Sequence, residues 1–273
     1  MERLRRRGRR IGFVPTMGAL HEGHLSLVRA AARENDVAVV SIFVNPTQFG
    51  PKEDFRKYPR TFARDRRMLE KAGVDYLFCP SAPALYQEGF STFVDMKPAA
   101  HQPGIFDLLC GKFRPGHFRG MATVVLKLFH LAKPHRAYFG AKDYQQALVV
   151  RRLIQDLNLD LALRLLPTVR EKDGLAMSSR NRYLRPSDRI RARALSRALF
   201  EVSRQIRSGR RNLRELRLEA AAELRRYVDH IDYFEIADPE TLIPLKKFQR
   251  RMAILTACRV GKTRLIDNVI MRS

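Results

Sequence analysis

Two nearly continuous apolar runs close to the amino terminus constrain the fold most strongly. Residues 11–14 contain no polar side chain, and residues 37–44 are interrupted only by Ser41. A strand with one solvated face alternates polar and apolar residues, whereas an unbroken apolar strand is buried on both faces. The two runs therefore predict a parallel β-sheet covered by helices, the arrangement of an α/β protein.

The segment between these runs joins the first strand to a helix. Residues 15–24, of sequence PTMGALHEGH, precede a stretch in which apolar residues recur at helical spacing. The first turn of a helix presents unpaired backbone N–H groups and the positive end of the helix dipole, and both attract anions. Because Gly18 and Gly23 lack a Cβ, the backbone can approach a ligand closely there. The turn is a candidate phosphate-binding site.

Two histidines in this turn admit several interpretations. His21 and His24 are three positions apart, so both can reach the same group from one face of the helix. A zinc pair is one alternative, but the metalloprotease pattern needs a spacing of four, and no third ligand is evident. A chance pair of surface histidines is another. The G-x-G-x-x-G dinucleotide turn is absent. The H-x-G-H order resembles the signature of the nucleotidylyltransferase superfamily, which positions ATP phosphates.

Strand-like and helix-like segments continue to alternate along the chain. The patterns predict further strands at 74–78, 92–96, 137–139 and 161–166, with helices at 62–72 and 123–132 and one that follows the segment 140–146 and ends at about 158. After residue 186 they predict one amphipathic helix over 190–206, a second over 213–228, and short strands at 233–237, 252–257 and 263–268. The change in pattern indicates a second, smaller region of α+β type.

Composition limits the possible partners and locations. A net charge of +24 favours anionic ligands or nucleic acid. The three cysteines lie far apart without a C-x-x-C pair, which is typical of a reduced intracellular protein. Six arginines among the first ten residues resemble the start of a signal peptide, but no sustained apolar segment follows. No apolar run approaches the roughly 20 residues that span a bilayer. We therefore expect a cytoplasmic protein without a membrane segment.

Two later segments carry groups suited to phosphate. Lys142 falls in the first turn of a predicted helix, where a positive charge is unfavourable unless an anion is bound; a solvated surface lysine is the alternative. Ser178, Ser179, Arg180 and Asn181 place two hydroxyls, a guanidinium and an amide side by side, which can hold phosphate oxygens. Serine and asparagine are also common helix caps, so a purely structural role stays open.

Six motifs together resemble the pantothenate synthetase family, the pantoate–β-alanine ligases. They are PTMGALHEGH at 15–24, FVNPTQF at 43–49, RPGHFRG at 114–120, FGAKDYQQ at 139–146, GLAMSSRN at 174–181 and RLIDN at 264–268. The likeness runs from about residue 11 to the end of the chain, in the family's order and spacing. This chain departs from the family in its short arginine-rich leader and in Ala141, where an acidic residue is usual.

The resemblance implies a reaction and an architecture. The reaction is ATP-dependent joining of (R)-pantoate to β-alanine through a pantoyl adenylate, with release of AMP and pyrophosphate. The architecture is a Rossmann-like domain with a parallel sheet over 1–168, which binds ATP and pantoate, and a smaller α+β domain over 169–273 that closes over the active site. A homodimer is also implied. Alternatives are another nucleotidylyltransferase with a different acceptor, and a nucleic-acid-binding protein. An aromatic-interleaved basic motif is missing, which weakens the second alternative.

The resemblance also assigns residues by matching position. The expected catalytic residues are His21, His24, Lys142, Ser178, Ser179 and Arg180. The expected ATP-binding residues are Met17, Gly18, Ala19, Leu20, His21, Glu22, Gly23, His24, Gly140, Ala141, Lys142, Asp143, Val169, Met177, Ser178, Ser179 and Arg180. Gln48 and Gln146 are expected to bind pantoate, and Asp65 to lie near the Mg²⁺ that accompanies ATP.

Overall fold

A computed structural model describes residues 1–51, 53–98 and 103–272 of the chain. It divides into two compact units, each described here by itself. The first comprises Met1–Lys97, Arg114–Ala141 and Gln146–Pro167. The second comprises Pro98–Phe113, Lys142–Gln145 and Thr168–Ser273. The predicted domain limits of 1–168 and 169–273 stay a prediction.

The first unit is built on a five-stranded parallel sheet. Its strands are β1 (Ile11–Thr16), β2 (Val37–Ile42), β3 (Tyr76–Phe78), β4 (Arg136–Gly140) and β5 (Ala162–Leu166). Their order across the sheet is β3-β2-β1-β4-β5, and every neighbouring pair is parallel. Phe13 and Val14 on the central strand are completely buried. The α/β class predicted from the two apolar runs is confirmed.

One helix precedes these strands, and the others connect them. They are α1 (Glu2–Arg6), α2 (Glu22–Glu34), α3 (Phe62–Lys71), α4 (Ala82–Leu85), α6 (His117–Ala132) and α7 (Tyr144–Asp156), the last beginning in the second unit. α6 starts six residues before the predicted 123, after Gly116 in a left-handed conformation. Gly120 lies inside α6, and a Cβ there would be 2.1 Å from the carbonyl oxygen of Thr47. A glycine is therefore required for the close approach of α6 to this backbone.

The strand predicted over 92–96 is wrong, since residues 91–98 form no regular secondary structure. The backbone N–H of Val94 donates to the side-chain oxygen of Thr123 in α6, 2.9 Å away. A buried backbone donor needs one partner, and here a helix side chain supplies it instead of a neighbouring strand.

The second unit combines helices with an antiparallel sheet. It contains α5 (Leu109–Phe113), α8 (Pro186–Ala192), α9 (Ala194–Arg207), α10 (Leu213–Arg225), β6 (His230–Ala237), β7 (Arg251–Val260) and β8 (Thr263–Arg272). The strands pair in sequence order β6-β7-β8. The single helix predicted over 190–206 is two helices, which meet at Arg193. The apolar faces of α9 and α10 and one face of the sheet share one buried core.

Many arginines of the basic surface are paired with carboxylates. In the leader, Arg5 contacts Asp160 at 2.6 Å, and on the helices Arg210 contacts Glu219 at 2.6 Å. Within the described residues, none of the helices combines the length and apolarity that crossing a bilayer requires.

Candidate active site

The turn after β1 is shaped by local hydrogen bonds and two left-handed residues. The Thr16 hydroxyl donates to the carbonyl oxygen of Ser41 at 2.7 Å and accepts from the N–H of Gly18 at 3.1 Å. Gly18 has φ of +77° and Ala19 has φ of +51°. Glycine adopts this conformation freely, whereas alanine adopts it only under a constraint. The turn reverses the chain at the carboxyl end of the strand, where ligands bind in open α/β sheets.

Asp65 on α3 supplies that constraint. It is completely buried, and its carboxylate accepts from the backbone N–H of Ala19 at 2.8 Å and of Leu20 at 3.0 Å. The Thr61 hydroxyl donates to the same carboxylate at 3.0 and 3.1 Å. Each oxygen thus accepts from one backbone N–H, and the two share the Thr61 hydroxyl. Asp65 therefore positions the turn.

The carboxylate of Asp65 is also the predicted neighbour of magnesium. Magnesium takes oxygen ligands, and the two oxygens of Asp65 accept hydrogen bonds from the backbone of Ala19 and Leu20. In the described part of the chain, no cluster of three His, Cys, Asp or Glu side chains could hold a metal. Asp65 as a magnesium neighbour stays a prediction.

The two histidines of the turn lie side by side. His21 is the residue just before α2, and His24 is the third residue of the helix. Their ring centroids are 4.1 Å apart, with 36° between the ring planes. The prediction that both share one face of the first helical turn is confirmed. Two imidazoles beside the positive end of a helix can both contact one anionic group.

Gln48 lies in the loop after β2, and a network of side chains orients it. It is 7% exposed, and its Oε1 accepts from Nδ2 of Asn45 at 3.1 Å. Nδ2 of Asn45 also donates to Gly120, while its Oδ1 accepts from the hydroxyl of Tyr86 at 2.7 Å. Because Asn45 is fixed in this way, the Gln48 amide keeps its oxygen inward and its NH₂ group turned toward Met17. Gln48 thus offers hydrogen-bond donors, which suit carboxylate or hydroxyl oxygens.

The backbone of Gln48 is held by a second set of side chains, which sequence reasoning missed. Nδ1 of His117 lies 2.8 Å from the Gln48 carbonyl oxygen, and its Nε2 lies 2.9 Å from Arg114. A guanidinium can only donate, so Nε2 accepts and Nδ1 donates. Arg114 also forms a bidentate ion pair with Glu53, with both distances 2.7 Å. Burial acts to raise the pKa of Glu53, but the hydrogen bond and charge of Arg114 outweigh it and lower that pKa. The RPGH motif at 114–117 drew attention to Arg114 and His117, but the sequence did not show that they hold the backbone of Gln48.

The two adjacent glutamines in the first turn of α7 have different environments. Gln145 is 5% exposed, and its Nε2 donates to the carbonyl oxygens of Ile105 and Leu108, both at 2.8 Å. Its Oε1 accepts from the N–H of Cys110 at 2.9 Å, so Gln145 fixes the segment before α5. Gln146, the predicted pantoate ligand, is half-buried and belongs to the first unit. Gly140, also predicted, ends β4 in that unit.

In the second unit, Lys142 lies in a short 3₁₀ turn, Ala141–Asp143, directly before α7. Its side chain is 18% exposed, and Nζ lies 3.3 Å from Oδ1 of Asp143. Its carbonyl oxygen accepts from Nδ2 of Asn268 at 2.8 Å. The lysine is thus held at its backbone, and its amine is paired with the neighbouring carboxylate.

The predicted serine–arginine segment follows a tight hairpin of the second unit. The N–H of Met177 donates to the carbonyl oxygen of Val169 at 3.0 Å, which closes the hairpin. Ser178 precedes a 3₁₀ turn, Ser179–Tyr183, and its side chain accepts from the N–H of Arg180 at 3.3 Å. Ser178 therefore caps this turn, and its role at phosphate stays a prediction. Ser179 is 6% exposed, while Ser178 and Arg180 are half-buried.

The sheet, the histidine-bearing turn and the loops at the strand ends define an α/β enzyme of Rossmann-like architecture. Comparison with known proteins narrows this class to a family of ligases. The chain belongs to the pantoate-beta-alanine ligase family, whose model matches residues 1–270.

Relatives named pantothenate synthetase align with nearly the whole chain. Pantothenate synthetase of Moorella thermoacetica is 52% identical over 268 residues, covering 98% of this chain and 93% of the relative. That of Thermotoga petrophila is 53% identical, covering 99% and 95%. The crystal structure of pantothenate synthetase from Thermus thermophilus has a TM-score of 0.90 at 48% identity, covering 95% of this chain and 92% of that one.

A further solved structure carries ligands. Pantoate-beta-alanine ligase from Francisella tularensis, complexed with beta-gamma ATP and beta-alanine, has a TM-score of 0.77 at 39% identity. The superposition covers 96% of this chain and 90% of the Francisella tularensis chain.

Proposed function

We propose that this enzyme condenses (R)-pantoate with β-alanine at the expense of ATP. In the first step the pantoate carboxylate attacks the α-phosphorus of ATP, which forms pantoyl adenylate and releases pyrophosphate. In the second step the amine of β-alanine attacks the adenylate carbonyl, which forms the amide and releases AMP. Family membership along the whole chain is the observation that carries this proposal. The ligase complexed with beta-gamma ATP and beta-alanine supports the two substrates.

Neither step needs a covalent bond to the protein, so the residues act by positioning and charge. Holding reactants in line can supply about 7–11 kcal/mol of the barrier. We assign His21 and His24 to the ATP phosphates, because their adjacent rings lie at the start of a helix. Donors aimed at the charge that develops on the phosphate lower the barrier of the first step.

Lys142, Ser178, Ser179 and Arg180 are assigned to the triphosphate and to the leaving pyrophosphate. A lysine ammonium acts as a point charge, whereas arginine donates through a planar fork that matches phosphate oxygens. The turn residues Met17, Gly18, Ala19, Leu20, Glu22 and Gly23 and the residues Gly140, Ala141, Asp143, Val169 and Met177 are assigned to the nucleotide.

Pantoate is assigned to Gln48 and Gln146. The NH₂ group of Gln48, which lies against Met17, supports this because it can donate to the carboxylate and hydroxyl oxygens that pantoate carries. Magnesium with ATP and assembly as a homodimer stay predictions.

Isotope exchange tests the proposed sequence of steps. We expect labelled pyrophosphate to enter ATP when the enzyme receives only pantoate, ATP and magnesium. Lys142→Ala should suppress this exchange strongly, because it removes positive charge from the leaving group. Exchange that requires β-alanine would contradict a freely formed adenylate.

Product identification tests the acceptor. Mass spectrometry after mixing ATP, pantoate and β-alanine should show pantothenate and AMP. Lys142→Ala should convert purified pantoyl adenylate and β-alanine with a smaller loss than it shows in exchange. Adenylation of another acid in preference to pantoate would indicate a nucleotidylyltransferase with a different substrate.

A further inference from the structure

The RLIDN motif at 264–268 has no part in the steps above, yet it places two polar residues inside a buried strand. Asp267 is 3% exposed and Asn268 is 6% exposed, both in the middle of β8. They lie opposite Thr256 and Leu255 of β7 in a ladder that is continuous on both sides. A buried carboxylate or amide is costly unless hydrogen bonds satisfy it. The partners of these two residues therefore show what the motif does.

Asn268 holds the backbone of Lys142. Its Nδ2 donates to the Lys142 carbonyl oxygen at 2.8 Å across 126 positions of sequence. Lys142 lies in the turn before α7, and fixing its carbonyl fixes the direction in which its side chain leaves the backbone. A neutral hydrogen bond of this kind contributes modestly to stability but strongly constrains geometry.

Asp267 holds the hairpin that leads to the serine–arginine segment. Its two oxygens accept from Arg170 at 2.7 and 2.9 Å, in a bidentate pair. The same guanidinium donates to the carbonyl oxygen of Gly174 at 3.0 Å, in the hairpin turn. The side chain of Arg170 also packs over the ring of Phe200, with 4.8 Å to the centroid. Arg170 is therefore fixed on three sides, and the hairpin turn is fixed with it.

The two residues are linked to each other as well. Oδ1 of Asp267 accepts from the backbone N–H of Asn268 at 2.7 Å, and Arg170 donates to the Asn268 carbonyl oxygen at 3.3 Å. Neighbouring residues of one strand thus reach the Lys142 turn and the hairpin that leads to the Ser178–Arg180 segment. A displacement of either segment would disturb the same small network.

We propose that Asp267 and Asn268 are positioning residues that set the spacing between Lys142 and the Ser178–Arg180 segment. This inference rests on the proposed function, because it treats both segments as ligands of the ATP phosphates. Positioning matters most in the step that expels pyrophosphate, where a misplacement of about 1 Å can lower the rate by about 10²-fold. The attack of β-alanine on the adenylate comes after pyrophosphate has gone. Substitution of Asp267 or Asn268 should therefore slow the first half-reaction, adenylate formation, more than the second.

The test compares the two half-reactions in Asn268→Ala. We expect pyrophosphate exchange to fall by roughly 10–10²-fold, mainly in kcat, while the conversion of supplied pantoyl adenylate with β-alanine changes little. Rates are referred to the folded fraction measured by circular dichroism. Asn35→Ala is the matched control, since Nδ2 of Asn35 also donates to a backbone carbonyl at 2.8 Å, that of Ala31 in α2. The control should lower stability without changing the ratio of the two half-reactions.

Asp267→Asn provides a second variant that keeps the size of the side chain but weakens the bidentate pair with Arg170. It should show the same loss of pyrophosphate exchange with little change in the conversion of supplied adenylate. This variant can be measured in place of Asn268→Ala if that protein folds poorly. An equal loss in both half-reactions, in step with the folded fraction, would overturn the proposal and leave the pair a structural role. Absence of exchange in the unmodified enzyme would instead contradict the proposed function itself.

Discussion

Replacing Asp65 tests whether this buried carboxylate holds the histidine turn or binds magnesium. In the structure its oxygens accept from two backbone N–H groups and from the Thr61 hydroxyl. Asp65→Ala leaves both N–H groups buried without a partner, at about 1–3 kcal/mol each, so we expect a loss of roughly 2–6 kcal/mol in unfolding free energy. Asp65→Asn turns an NH₂ group toward one of these donors and should lose about 1–3 kcal/mol.

The turn itself should loosen in these variants. Ala19 has φ of +51°, a conformation that costs on the order of 1–3 kcal/mol for a residue other than glycine and persists only where contacts impose it. Without Asp65 the turn should relax, and His21 and His24 should lose their position beside the helix start. The rate of pyrophosphate exchange should then fall together with stability.

Urea unfolding and exchange at several magnesium concentrations separate the two interpretations. A positioning role predicts lower stability without substrates and an exchange defect that added magnesium does not correct. Asp75→Asn is the control, because Asp75 is an exposed carboxylate that accepts from one strand amide, that of Ala38 at 2.8 Å. It should lose at most about 1 kcal/mol. Unchanged stability in Asp65→Asn, with activity restored by high magnesium, would refute this reasoning and favour a metal ligand.

Four further outcomes are expected. His24→Ala should lower pyrophosphate exchange by about 10²–10³-fold, the usual effect of losing one transition-state donor, while the melting temperature stays close to that of the unmodified protein; a large drop in melting temperature would indicate a packing role. Gln48→Glu should raise the KM for pantoate far more than that for ATP, because it replaces the amide donors with a charge that repels the pantoate carboxylate; equal effects on both KM values would argue against the assignment. Glu53 has a lowered pKa in the folded state, so its contribution to the free energy of unfolding is complete above the ordinary pKa of about 4.3 and is lost as pH falls through the lowered pKa. In urea unfolding from pH 7 to 3, the free energy of unfolding of Glu53→Gln should therefore fall less steeply with pH than that of the unmodified protein. Nucleic acid should bind only weakly, with Kd of about 10⁻⁴–10⁻⁶ M at physiological salt, and a sequence-selective complex in a filter-binding assay at about 200 mM salt would contradict this.

Local sequence was sufficient to predict the strands of the first unit and the turn after the first strand, at residues 15–24. Residues 11–14 and 37–44 are apolar without alternation, and a strand buries such a run only when it is covered on both faces. These two short segments therefore predicted the parallel sheet, in which they pair as β1 and β2. The adjacency of His21 and His24 followed from helical spacing alone. The six motifs likewise led to the family, because each is a short contiguous pattern.

Tertiary structure decided the features that depend on residues far apart in the chain. Residues 92–96 have the composition of a strand, but Thr123 satisfies the N–H of Val94 from a helix. Glycine is required at 120 because a Cβ there would lie 2.1 Å from the carbonyl oxygen of Thr47. Asp65, His117 and Asn268 hold residues that are 45, 69 and 126 positions away. Side-chain hydrogen bonds over such separations leave no periodic pattern in the sequence, since each depends on how the intervening elements pack.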